Sequence, residues 1–287
     1  VFTTGRKSAQ FVEIITAFGR RGWMPLHTNS GQSLLIPVKE TGTHDDGQNF
    51  AADGLHSHQF DMLKLDLTAV PPSASKSTWP SSGEYFFERQ GQKAHVFGPD
   101  ASSDEASFRQ PLPLVFFLHG ASKGIYWQFA PLVAPFREHR SAAKRNIIII
   151  VPEAQDHTWD LITTGNREDL DFLQAVLDDV RHKFNVDDRR IAVCGMSDGG
   201  TMAISLSVRN PHVFQAALTQ AASGCIVKLD LIPPGYKPKI YMEHGMEDDL
   251  FPYQRVALTL RGTLVSAGYT VEFHGLEDHG HMARQEF

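Results

Sequence analysis

The chain has 287 residues, 41% of them hydrophobic, and a formal net charge of −6 at pH 7. That is enough chain to bury the core of one large or two small α/β domains, and an acidic balance without a basic cluster excludes a nucleic-acid partner, whose phosphates need a concentrated basic face. The two cysteines, Cys194 and Cys225, exclude a disulfide framework and a four-thiolate metal site, and both read as buried thiols.

From Val1 to Ser82 the patterning is weak. An amphipathic helix is expected around Phe11 to Phe18, followed by the apolar bursts "SLLIPV" and "FDMLKLDL". No run is long enough to span a membrane, and Glu13 interrupts any signal-like apolar region. With Val1 as first residue, the compartment, cytoplasmic or secreted, is left open. In "THDDGQNFAADGLHSH", His56 and His58 would share a face of a strand, with His44, Asp45 or Asp46 as further ligands. The stretch reads as loop, so these are solvated side chains, and neither metal nor cofactor is expected. The Pro- and Ser-rich "VPPSASKSTWPSSG" then reads as a linker, which divides the chain into residues 1–82 and 83–287.

Beyond the linker the pattern strengthens. "EYFFERQGQKAHVFG" predicts two strands around a glycine turn; "PLPLVFFLHG", "NIIIIVPEA", "RRIAVCGMS", "FQAALTQAAS", "KIYMEHG" and "YTVEFHG" predict six more. Several are apolar on both faces, as in a parallel sheet covered by helices on each side. Leu170, Leu173, Leu177, Val180 and Phe184 recur at helical spacing, which predicts a helix over Asp169 to Phe184 with Asn185 as its stop. The fold class that follows is α/β, with a mostly parallel central sheet and its chemistry at the carboxyl ends of the strands.

One junction stands out. In "RRIAVCGMSDGGTMAISL", Ser197 lies between a strand pattern and a helix pattern, flanked by Gly195, Gly199 and Gly200. A Gly-x-Ser-x-Gly match arises by chance in about one chain of this size in ten, so the context carries the reading. Such a turn holds the serine in a strained backbone, needs glycines for close approach, and puts the Asp198 amide at a helix N-terminus, facing a developing oxyanion. The charge of Asp198 would oppose that oxyanion unless its side chain turns away. A serine nucleophile also needs a histidine base and an acid to orient it. Later strand ends offer Glu247, Asp248 and Asp249, then His274, His279 and His281.

Taken in order, "LHGAS", "DLDFLQAVLDDVRHKFNVDDRRIAVCGMSDGGTMA", "EHGMEDDLFP" and "DHGH" resemble the α/β-hydrolase superfamily, and within it esterases of the polyhydroxybutyrate-depolymerase and feruloyl-esterase type. The resemblance covers about Gly83 to Phe287. It implies Ser197 as nucleophile, His281 as general base and then acid, and Asp248 as orienting carboxylate. It also implies the amides of Ala121 and Asp198 as the oxyanion hole. Tyr126 and Trp159 are candidates for a substrate groove. The short segment "GCIVKLDLIPPGYKP" leaves no room for a large lid there, which favours an open site and a bulky or polymeric ester. The expected activity is serine carboxylic-ester hydrolysis of a polyester or of a feruloyl or acetyl ester. A serine peptidase of prolyl-oligopeptidase type, or a catalytically silent binding protein on the same fold, are the alternatives.

Overall fold

The computed structural model describes residues 2–7, 11–15, 21–25, 83–98, 110–121, 147–163, 166–232 and 234–281. Contacts divide the chain into two compact units, Val1–Gln59 and Phe60–Phe287. In the first, β1 (Phe2–Lys7), β2 (Phe11–Ile15) and β3 (Arg21–Pro25) form an antiparallel sheet with β2 in the middle. Phe2 lies opposite Ile15, and Ile15 opposite Arg21. This corrects the helix expected around Phe11 to Phe18. Phe11, Val12, Ile14 and Ile15 are aromatic or β-branched, and such side chains suit a pleated surface better than a helical turn. "SLLIPV" and "FDMLKLDL" lie outside the described residues, as do the early histidines His44, His56 and His58.

The second unit is built on an eight-stranded sheet. Its strands are β4 (Glu84–Arg89), β5 (Gln92–Phe97), β6 (Leu112–Leu118), β7 (Ile148–Pro152), β8 (Val186–Met196), β9 (Ala216–Gln220), β10 (Lys239–Gly245) and β11 (Val271–Leu276). They lie in the order β11-β10-β9-β8-β6-β7-β5-β4. β5 runs antiparallel to both its neighbours, and every other pairing is parallel. The β4–β5 hairpin turns on Gln90 and Gly91, whose φ angles of 52° and 85° match the strand twist of a tight two-residue turn.

The expected strands are present, and the expected helix over Asp169 to Phe184 is α2 (Glu168–Lys183), which follows the short α1 (Asp160–Thr163). Phe184 is already extended, so the helix stops one residue earlier than Asn185 alone suggests. All five residues of β7 are buried. Leu114, Phe116, Ile148 and Ile150 join the main core with Leu173, Val176, Leu177 and Val180 of α2, while Phe117, Ile149, Val151 and Cys194 form a second cluster. Burial pushes the Cys194 thiol up to about 12, which leaves it inert at neutral pH. Cys225 is half-buried rather than fully enclosed.

The start of α2 is tied to α1 by reciprocal capping. The Asp160 amide donates to Asp169 Oδ2 at 2.7 Å, and the Asp169 amide donates back to Asp160 Oδ2 at 3.1 Å. Asp169 Oδ1 also accepts from the Gln155 amide and from Gln92 Nε2, each at 2.7 Å. Burial, and then the neighbouring Asp169, push the Asp160 carboxyl up to about 7. Burial raises Asp169 as well, against the opposing pull of its hydrogen bonds.

Among the described residues, no helix is long and apolar enough to cross a membrane. Between β9 and β10, residues 221–238 carry one short 3-10 turn, Leu229–Leu231, and no inserted helical lid among the described residues.

Candidate active site

Four strands of the large sheet deliver the site from one edge, through the turns after β6, β8, β10 and β11. Ser197 follows β8 directly and precedes α3 (Asp198–Arg209). Its φ of 56° and ψ of −121° are unusual for a residue with a side chain, a strain of about 1–3 kcal/mol that surrounding bonds must hold. They do so from both sides. The Ser197 amide donates to the Gln220 carbonyl on β9 at 2.8 Å, and the Ser197 carbonyl accepts the first helical bond, from the Thr201 amide, at 3.0 Å.

The glycines have steric causes. A Cβ on Gly195 would lie 2.2 Å from the Gly199 carbonyl oxygen, and one on Gly199 would lie 2.2 Å and 2.4 Å from the carbonyl oxygens of Leu118 and His119. These are backbone atoms of β6, the turn after it and the first turn of α3, not flexible side-chain ends, so the turn closes only with hydrogen at both positions.

His281 Nε2 lies 3.0 Å from Ser197 Oγ, and His281 Nδ1 lies 2.8 Å from Asp248 Oδ2. A carboxylate accepts, so Nδ1 carries the proton and Nε2 is left to accept from the serine hydroxyl. Ser197 is 7% exposed, Asp248 3%, and the His281 side chain 17%, so the serine and imidazole are reachable while the acid is not. The flanking Glu247 and Asp249 are exposed. His279 donates locally to the Glu277 carbonyl, and His274 pairs with Glu272 on β11.

Asp248 is held by more than His281. Its Oδ1 accepts from the Phe251 amide at 2.7 Å, and a second imidazole, His244, shares its one Nε2–H between Asp248 Oδ2 at 3.2 Å and the Phe251 carbonyl at 2.7 Å. Burial alone would raise the Asp248 carboxyl, but the hydrogen bonds from His244, His281 and Phe251 outweigh it and hold it well below the usual carboxylate range. The Phe251 ring meets the His281 imidazole edge-on at 4.9 Å. The loop carrying His281 is tied to the acid loop as well: the Glu247 amide donates to the His279 carbonyl at 2.9 Å, and a Cβ on Gly245 would collide with that carbonyl at 2.2 Å.

The turn after β6 passes beside the serine, since a Cβ on Gly120 would lie 3.2 Å from Ser197 Cβ and 3.8 Å from Ser197 Oγ. Ala121, the next residue, is exposed there. Asp198 is buried, and its Oδ2 accepts from the Thr158 hydroxyl at 2.7 Å, so the carboxylate has a fixed partner in the neighbouring loop. Trp159 departs from expectation. It is 0% exposed, lies tilted against His119 with ring centroids 4.9 Å apart and donates its indole N–H to the His119 carbonyl at 2.8 Å, so it is a wall of the interior rather than of a groove. Tyr126 lies outside the described residues. His119 accepts from the Ala154 amide through Nε2 at 2.9 Å and donates from Nδ1 to the Gly120 carbonyl at 2.6 Å. Burial lowers its basicity, against the opposing pull of Gly120 and Asp198, which suits a neutral structural imidazole.

A family model described as "Putative esterase" matches residues 92–255, more than half of the chain. The chain belongs to this esterase family. No curated protein matches it. Among solved structures, it is similar to a thermostable esterase at 21% identity and a TM-score of 0.54, over 68% of this chain and 54% of that one. It is also similar to a ferulic acid esterase at 17% identity and a TM-score of 0.55, over 69% and 90% of the two chains. A third likeness is to an alpha/beta hydrolase from a Medee basin deep-sea metagenome library, at 19% identity and a TM-score of 0.52, over 70% and 84%. At these identities the structural likeness shows the fold, which is that of the α/β hydrolases. The esterase family and that fold agree with the resemblance read from the ordered motifs.

His244, Phe251 and Thr158 were not marked by the sequence as contributors to the site. His244 alone left a trace, as the first residue of the "HGMED" turn. Its role needs the fold, because only there does its ring meet the acid.

Proposed function

We propose that the chain is a serine carboxylic-ester hydrolase in which Ser197, His281 and Asp248 form the catalytic triad and the amides of Ala121 and Asp198 form the oxyanion hole. The observation that carries this is the unbroken hydrogen-bonded path from Ser197 Oγ through His281 to Asp248. Ser197 Oγ attacks the ester carbonyl as its proton passes to His281 Nε2. The resulting imidazolium is steadied by the Asp248 carboxylate, and the tetrahedral oxyanion by the two amides. Collapse expels the alcohol, which takes the proton from His281 and leaves an acyl-Ser197. Water then repeats the sequence, giving its proton to His281 and releasing the carboxylic acid and the free serine.

Residues 83–287 are the hydrolase domain in this reading, and residues 1–82 an N-terminal extension to it. The short connection over residues 221–238 supports an open site and hence a bulky acyl or alcohol group, a polyester or a feruloyl or acetyl ester. The test is a panel of nitrophenyl esters of increasing acyl length, together with methyl ferulate, on the wild type and on Ser197→Ala. The substitution is expected to lower kcat by at least about a thousandfold. Equal hydrolysis by both proteins would falsify the nucleophile assignment, and turnover of amides at rates comparable to esters would move the reading to a peptidase.

A further inference from the structure

Two walls of the site end on one short loop. After β7, the Ala154 amide donates to His119 at 2.9 Å, and the Gln155 and Asp160 amides both donate to Asp169 at 2.7 Å. Between those anchors lie Thr158 and Trp159. Thr158 Oγ1 donates to Asp198 Oδ2 at 2.7 Å, and Trp159 Nε1 donates to the His119 carbonyl at 2.8 Å. That carbonyl is also closely approached by α3, since a Cβ on Gly199 would lie 2.4 Å from it. One dipeptide therefore grips the turn after β6 and the first turn of α3, which flank Ser197.

The Thr158 contact bears on a conflict of charge. Asp198 opens α3, and the first amides of a helix have no intrahelical acceptor, so they attract any nearby anion. A carboxylate there competes with a developing oxyanion for the same donors and repels it directly. The Thr158 hydroxyl gives the Asp198 carboxylate a partner on the side of the β7 loop. Trp159 acts on the other donor: with its indole on the His119 carbonyl, the peptide leading into Gly120 and Ala121 has one orientation.

We propose that Thr158 and Trp159 are positioning residues for the oxyanion hole, Thr158 by drawing the Asp198 carboxylate away from it and Trp159 by fixing the backbone that presents the Ala121 amide. The proposal rests on the reading of Ser197 as nucleophile. Both side chains are engaged within the protein, Thr158 with Asp198 and Trp159 with the His119 carbonyl, so their loss is expected to act on the transition state rather than on ground-state binding.

The experiment compares kcat and KM on nitrophenyl acetate for the wild type, T158V, T158S, T158V/D198N and W159F, with Ser197→Ala as reference. Rates are normalised to the fraction of folded protein read by circular dichroism, so that misfolded material does not count. T158V is expected to lose about tenfold in kcat with KM within about twofold, and W159F to behave alike. T158S, which keeps the hydroxyl, restores the rate. T158V/D198N recovers most of what T158V loses, because the competing charge is gone, a rescue that a purely structural contact would not give. Wild-type kcat in T158V or in W159F, or no recovery in T158V/D198N, overturns the proposal. If Ser197→Ala retains wild-type activity, the nucleophile reading fails instead, so the two failures are distinguishable.

Discussion

At the residue scale, Asp248 anchors the site through three partners. Three donors, from His244, His281 and the Phe251 amide, surround a carboxylate that is almost fully buried. Its folded-state pKa is depressed below the unfolded value, so the stabilisation it provides is fully present above about pH 4 and is lost as pH falls through the folded value. Replacing it with asparagine, of the same size but neutral, leaves His244 and His281 without a charged acceptor. Asp248→Asn is expected to cost about 2–3 kcal/mol of stability at neutral pH and to lower kcat by about a thousandfold or more. Urea melts of both proteins as a function of pH would check the first part: the gap should narrow below about pH 4. A gap independent of pH would mean the charge contributes nothing.

At the element scale, two junctions were differently legible. The β8–α3 turn announces itself in sequence because its glycines are required by contacts that allow no side chain. The α1–α2 junction does not, because Asp160 and Asp169 read as ordinary surface acids until the fold buries them against each other. Their pKa values move in the direction opposite to that of Asp248. The folded chain holds a proton that the unfolded chain gives up near pH 4, so this stabilisation is full in acid and is lost as pH rises through about 7. Stability should therefore fall between about pH 4 and 7 with a slope of up to about 1.4 kcal/mol per pH unit from this pair. In Asp160→Asn, which cannot ionise, thermal melts across that range should be flatter; an unchanged slope would exclude the pair as its source.

At the scale of the whole molecule, contacts separate Val1–Gln59 from Phe60–Phe287, and every residue proposed for the site belongs to the second unit. The eight-stranded sheet, with its own two-sided core, has what a unit needs to fold alone. A chain starting at Phe60 is therefore expected to hydrolyse nitrophenyl esters with kcat within about twofold of the full chain. A loss beyond tenfold with the fold retained by circular dichroism would show that the first unit contributes to the site.

Sequence by itself determined the strands of the large sheet, the helix before β8, the strained serine between glycines, and the order in which an acid and a histidine follow it. Each of these is local: apolar runs of strand length, periodicity in a helix, and glycines where a turn admits no Cβ. The first unit escaped because Phe11–Ile15 is too short for periodicity to separate helix from strand. The motif resemblance already singles out Asp248 from Glu247 and Asp249; tertiary structure alone decided that His244 supports it and that Trp159 is buried. It also decided where Asp198 points. The carboxylate that looked like an obstacle to an oxyanion is held by Thr158, forty residues earlier in the chain, and a contact of that span has no signature in either segment.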